Sequence, residues 1–454
     1  MSATMDWNKL LTRRRLGQSS IEEPAGRSSF QRDFDRIIFS SGFRRLQDKT
    51  QVYPLSESDY VRTRLTHSLE VSCVGRSLGE IVGKAIIAQH KLQEIHHSDI
   101  GAIVASACLA HDIGNPPLGH SGEEAIQHWF RYTAAGQKVI ESLTDAEKED
   151  FLQYEGNAQG FRLLAKLQTP DNPGGMQLTC AMLAAYTKYP RESRVVGSPE
   201  EMKRKSAKKF GFMQAEKELF REVAEVVGLL PISSGSAWWC RHPLAFLAEA
   251  ADDITYTIID FEDGCRLGYI SLEELKEIYQ TILTPEDFTR LKDIRLNHDK
   301  IEYLRAKAIN KLIFEVVDVF TEREEEILAG TFDKALTFHI PSKEGLDKII
   351  SVSRKKAYSA REVIEVEAAG YEVLGWLIEA FITSSNDIAE NENPSAKSKK
   401  LYQLLPEKFA GINRVPDKSA YVRLLNVTDF ISGMTDSFAV SLFKKMSGIS
   451  LPRG

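Results

Sequence analysis

His111 and Asp112 stand side by side, His120 follows nine positions later and Glu123 three after that, so four side chains able to bind a cation or carry a proton fall in thirteen residues. The intervening Ile113-Gly114-Asn115-Pro116-Pro117-Leu118-Gly119 cannot continue a helix through its Gly and Pro-Pro steps. A buried His-Asp step is costly unless both groups are partnered, and a divalent cation partners them together. Such a cation takes four or more ligands, so others must come from elsewhere in the chain.

His67 offers a third ligand. It sits on a polar turn of an otherwise apolar helical stretch, Arg62-Thr63-Arg64-Leu65-Thr66-His67-Ser68-Leu69-Glu70. A lone histidine on a helix is more often packed or exposed than a ligand, and only its combination with the His-Asp step reverses those odds. Asp252, inside Ala250-Ala251-Asp252-Asp253-Ile254-Thr255-Tyr256, offers a fourth. Asp252, Tyr256 and Asp260 recur at i, i+4 and i+8 and share one helix face; periodicity alone fits a cleft wall and a solvated face equally well. Near neutral pH a histidine is the usual proton carrier. His120 is close enough along the chain to return to the His-Asp step, with Glu123 placed to orient it; the alternative is a structural histidine at a helix start. The Gly-Asn-Pro-Pro turn is then the bend that brings His120 back, with Asn115 beside it.

The elements that must position these groups are helical. Ile100 to Ala110 is a small-residue apolar rod delivering His111, and Val61 to Gln89 carries Leu65, Leu69, Val74, Leu78, Ile81 and Val82 near the 3.6 period. Residues 30–46, 123–132, 155–167, 176–189 and 242–261 also read as helices, with a Pro/Gly break at 169–175. Ser271 and Glu274 form a capping box for another. Arg191 to Lys209 is polar and basic and reads as an exposed insertion. Beyond it helical patterns run to the C-terminus, interrupted by polar residues 384–400. Strand signals are few, so the fold class is all-α: a helical body over about 30–300, a basic N-terminal arm (1–29) that docks or stays mobile, and a helical C-terminal lobe (301–454) with probable oligomer contacts.

Hydrophobic residues at 43% and charged at 27% exclude a disordered chain, and a net charge of -6 gives no global attraction to nucleic acid. Arg13-Arg14-Arg15 and Lys203-Arg204-Lys205 could still attract it locally. No run approaches the roughly 20 apolar residues of a membrane span. Five scattered cysteines without C-x-x-C spacing or a signal peptide fit a soluble, cytoplasmic protein. There is no G-x-x-x-x-G-K-[ST], so a P-loop route is unsupported.

The order His67, His111-Asp112, Asp252 resembles the H…HD…D ligands of the HD phosphohydrolase superfamily. The longer strings Arg62 to Val71, His111 to Glu123, Glu155-Gly156-Asn157-Ala158-Gln159 and Ile431-Ser432-Gly433-Met434-Thr435-Asp436 resemble the deoxyguanosine triphosphate triphosphohydrolases within it, over about Arg44 to Asp436. The resemblance implies an HD-domain helical core with a helical C-terminal extension. It implies cleavage of a dNTP at the α-phosphorus to deoxynucleoside and inorganic triphosphate.

It implies a divalent metal (Mn, Mg, Co, Fe or Ni) on His67, His111, Asp112 and Asp252, and a catalytic pair His120 and Glu123 in which the role of His120 stays open. It further implies Arg64, Lys188 and Tyr189 on phosphate or sugar, Gln51 and Val52 at sugar and base, Tyr256 by the sugar and Asp260 by its 3′-hydroxyl. Tyr358 and Glu367 resemble nucleotide contacts that in relatives can come from a neighbouring subunit. A homo-oligomer, often a hexamer, and activation by a second nucleotide are further implications, and single-stranded-DNA binding could coexist through Arg13-Arg14-Arg15 or Lys203-Arg204-Lys205. Two other readings are an HD phosphohydrolase of a nucleoside monophosphate or alarmone, and a nucleotide-sensing or single-stranded-DNA-binding protein.

Overall fold

The structure, a computed structural model, describes residues 4–20, 26–51, 62–233 and 235–450. Val52 lies outside the described residues. Among the described residues the fold is built of helices, and β pairing is limited to isolated bridges, such as Arg15 with Thr179 and Thr50 with Thr63. The all-α expectation holds.

At the centre the long Arg64–His90 helix lies against His97–Ala110. Glycine makes that approach close: a Cβ on Gly79 would stand 2.9 Å from the Gly101 Cα. Residues Ile100 to Ala110 are buried apart from the half-buried Ala102, which is why this helix is apolar all round rather than along one stripe. The Pro243–Arg266 helix completes the central group; Pro243 occupies its first turn, where no intrahelical N–H bond is lost, and the His242 side chain accepts from the Leu244 N–H. His67, His111 and Asp252 are therefore borne on three helices packed on one another.

Two apolar cores result. The larger takes in Trp7, Leu10 and Leu16 of the N-terminal segment, the central helices and the Asn297–Leu328 helix. Trp7 donates its indole N–H to buried Glu324 at 2.7 Å, so the described part of the N-terminal arm docks. The smaller core joins Gly119–Tyr132 and residues 140–158 to Arg361–Glu390 and Ala420–Ser432. It thereby ties the helix that carries His120 to the helices Arg361–Glu390 and Ala420–Ser432.

Three expectations are corrected. Residues 30–46 form two helices, Ser29–Ile38 and Ser41–Arg45, because the Ser40 hydroxyl caps the second by accepting from the Phe43 N–H. Arg361–Glu390 continues through the polar residues from 384, where Ser384 and Ser385 are buried. The basic stretch 191–209 is exposed only in part: Arg194, Val196, Met202 and Lys203 face solvent, whereas Arg191, Ser193 and Ser206 are buried, and the Arg191 guanidinium donates to the carbonyls of Lys209, Glu192 and Ser193. Lys205 and Lys209 also turn inward, onto the buried carboxylates of Glu249 and Glu155.

Candidate metal centre and active site

His67 lies in the first turn of its helix, His111 caps the end of His97–Ala110, and Asp252 sits midway along Pro243–Arg266. Asp252 Oδ1 is 3.3 Å from His67 Nε2 and 3.5 Å from His111 Nε2, and one ligand atom from each of the three residues falls within 4.8 Å of the others. His111 Nδ1 is 2.6 Å from the Cys108 carbonyl. A carbonyl only accepts, so Nδ1 carries the proton and Nε2 keeps its lone pair for the cluster.

Asp112, the fourth residue of the expected set, lies beside these three with partners of its own. Its Oδ2 is 3.5 Å from His111 Nε2, but the carboxylate is held by Arg64 Nη1 at 2.8 Å and by the Asn115 amide, which donates to Oδ1 at 2.5 Å. The reason is charge: the nearest cation to Asp112 is the guanidinium three residues before His67. Even so, Asp112 Oδ2 is buried and makes no well-directed hydrogen bond. Two imidazole lone pairs, the Asp252 carboxylate and this oxygen, ion-paired to Arg64 but free of a directed hydrogen bond, are a donor set that fits a borderline divalent cation. Burial alone would raise both acids; Arg64 and the two histidines overcome it and hold Asp112 at about 2, and the same histidines hold Asp252 well below the usual carboxylate range.

His120, the second residue of Gly119–Tyr132, pairs its Nδ1 with Glu123 Oε2 at 2.9 Å. The histidine side chain is 78% exposed and the glutamate 6%. Glu123 Oε1 accepts the Gly156 N–H at 2.7 Å, which fixes the carboxylate. The hydrogen bond and charge of Glu123 raise the His120 pKa above its ordinary value. An ionised Glu123 can only accept, so His120 keeps a proton on Nδ1 and exchanges the other at Nε2.

Two cavities meet at this cluster. One, of 310 Å³, is lined by Gln51, Arg64, Leu118, Tyr256, Tyr358 and Glu367; the other, of 260 Å³, by Asn115, Asn157, Lys188, Tyr189, Lys209 and Glu249. His111, Asp112, His120 and Asp252 line both. Asp260 stands behind the first cavity, where its carboxylate accepts the Tyr358 hydroxyl at 2.9 Å, and the Tyr256 and Tyr358 rings lie 6.1 Å apart. Tyr358 and Glu367 of this same chain line the first cavity. Lys188 is not a free cation: its ammonium is 3.2 Å from Glu249, a fully buried carboxylate that also pairs with Lys205 at 2.8 Å and Arg241 at 2.7 Å.

Reading the chain missed Lys209, Asn157, Glu155 and Glu249. Lys209 Nζ is 2.8 Å from Glu155 and 3.8 Å from Glu123 Oε2, which brings a cation from the supposed insertion to the His120 pair. The string holding Glu155 and Asn157 was visible, but nothing in it said which side chains would face the site. Glu249, three residues before Asp252 and so on the same helix face, was the one with a readable signal.

The HD domain family matches residues 64–172, which include His67, His111 and Asp112 and end before Asp252. The chain is 47% identical to a deoxyguanosinetriphosphate triphosphohydrolase-like protein of Synechocystis sp., with 98% of this chain and all of that one covered. It is 40% identical to a protein of the same description from Pseudomonas aeruginosa, over 99% of this chain and all of the relative. A deoxyguanosinetriphosphate triphosphohydrolase of Salmonella arizonae is 30% identical over 92% of this chain and 94% of its own length.

Proposed function

The chain belongs to the deoxyguanosinetriphosphate triphosphohydrolase-like family of HD-domain hydrolases, and from that premise we propose that it cleaves dGTP, and other dNTPs with it, to deoxynucleoside and inorganic triphosphate. The observation that carries this reading is the pair of cavities joined at His111, Asp112, His120 and Asp252. A nucleotide laid across the junction puts its nucleoside on the tyrosine side, its phosphates on the lysine side, and the bond between them beside the cluster.

His67, His111, Asp112 and Asp252 would hold a divalent cation, with Mn, Mg, Co, Fe and Ni all compatible with the donors, and a cation there supplies Lewis-acid polarisation of a phosphate oxygen. Water attacks the α-phosphorus and releases its proton to solvent as the bond to the 5′ oxygen breaks, and His120 gives its Nε2 proton to that departing oxygen. Glu123 holds the imidazole in the tautomer that allows it, and Gly156 holds Glu123. A triphosphate is polyanionic and needs cationic and N–H donors: Arg64, Lys188 and Lys209, with Asn115 and Tyr189, face it. Gln51, Val52, Tyr256, Tyr358 and Glu367 receive sugar and base, and Asp260 the 3′-hydroxyl, which displaces the Tyr358 hydroxyl from the same oxygen.

We place the enzyme in the cytoplasm as a homo-oligomer, with the C-terminal lobe supplying subunit contacts and a second nucleotide or single-stranded DNA as a regulator. Among the described residues no helix is long and apolar enough to cross a membrane. A screen of the four dNTPs and GTP, each with Mg and Mn, singly and mixed, tests the reading. Triphosphate from dGTP and none from GTP is expected; turnover of GTP at the dGTP rate would overturn the deoxyribose assignment.

A further inference from the structure

Asp436 begins the Asp436–Met446 helix more than three hundred residues after the His-Asp step, yet it is 1% exposed and bonded to the active-site turn. Its Oδ1 accepts the Leu118 N–H at 2.9 Å and its Oδ2 accepts the Thr50 N–H at 2.9 Å. Neither oxygen serves its own helix, because the Thr435 hydroxyl already caps that helix by accepting from Phe438. A carboxylate with both oxygens spent on backbone donors from two distant segments is a clamp between them.

What it clamps bears on the site. Thr50 precedes Gln51, and Leu118 caps the helix whose second residue is His120. Leu118 has φ +64°, a left-handed conformation that a leucine holds only when its surroundings impose it, and Gly119 follows at φ +60°. Buried Lys49 grips the other end of the same turn, donating to the Asn115 carbonyl at 2.5 Å and to the Ser432 carbonyl at 2.7 Å. Asp436 also supplies counter-charge to that ammonium. Residues 49–50, 115–118 and 432–436 thus form one hydrogen-bonded unit.

We propose that Asp436 is a positioning residue for the reaction, holding Gln51 and His120 in register across one cavity through the Thr50 and Leu118 N–H groups. The proposal rests on the roles given to His120 and Gln51 above. Asp436→Asn keeps the shape and one acceptor but turns the other oxygen into a donor facing an N–H. In the folded variant with metal content unchanged, kcat falls at least 10-fold and KM rises several-fold. Two double-mutant cycles separate positioning from general destabilisation. Added to His120→Ala, Asp436→Asn leaves kcat where His120→Ala alone puts it; added to Gln51→Ala, it leaves KM where Gln51→Ala alone puts it.

Full multiplicative losses in both cycles, or wild-type kcat and KM in Asp436→Asn, would overturn the proposal. Near-normal turnover in His120→Ala alone would instead sink the reading of His120, and the Gln51 cycle would then decide the clamp by itself. Should Asp436→Asn not fold, Asp436→Glu keeps the charge and both acceptors at a longer reach, and the same cycles apply to it.

Discussion

Glu123 is the buried partner of a mostly exposed histidine: its Oε2 lies 2.9 Å from His120 Nδ1 while its Oε1 is anchored on the Gly156 N–H. The exposed group is thus the one free to meet a substrate, and the buried one sets its tautomer and its pKa.

That pairing gives a pH dependence with a definite sign. Glu123 raises the His120 pKa, so the protonated donor persists above the ordinary histidine range and activity falls only as pH rises through the raised value. Glu123→Gln removes the charge, and the alkaline limb of kcat moves to lower pH. A pH profile with an unmoved alkaline limb would separate Glu123 from the proton transfer.

His120→Ala is expected to cut kcat about 100-fold or more while metal stays bound, the magnitude of a lost general acid. Metal analysis of the purified variant beside its turnover number checks both halves.

Metal binding is expected to raise Tm with Mn or Mg concentration, because a ligand of the folded state stabilises by mass action. In His67→Ala and Asp252→Asn that response disappears along with activity. A calorimetric scan in which these variants still gain Tm from the metal would place the cation elsewhere.

Lys209→Met is expected to raise KM for dGTP about 10-fold, the loss of one charge-assisted contact to phosphate. Saturation kinetics measures it, and an unchanged KM would leave Lys209 as a partner of Glu155 only. For Asn115→Ala, which frees Asp112 from its amide donor, altered kcat or KM is expected, and unchanged kinetics would remove the Gly-Asn-Pro-Pro turn from the mechanism.

The clustering of His67, His111 and Asp252 was legible in the chain because a His-Asp step at a helix end demands partners, and few other places offer them. The all-α class followed from helical periodicity for the same local reason. The tie of Asp112 to Arg64 was not legible, because it depends on how two helix ends meet, which no spacing reveals. Lys205 and Lys209 looked like solvated charges since their carboxylate partners, Glu249 and Glu155, lie tens of residues away. Asp436 was visible only as part of a string; that its oxygens reach Thr50 and Leu118 is a fact of tertiary structure.

The central claim is attack at the α-phosphorus with loss of the 5′ oxygen, and hydrolysis of dGTP in ¹⁸O-labelled water tests it most directly. Separation of the products by ion exchange followed by mass spectrometry should find deoxyguanosine without label and intact triphosphate carrying one labelled oxygen. Release of orthophosphate or pyrophosphate as the first product, or label in the deoxyguanosine, would contradict the account.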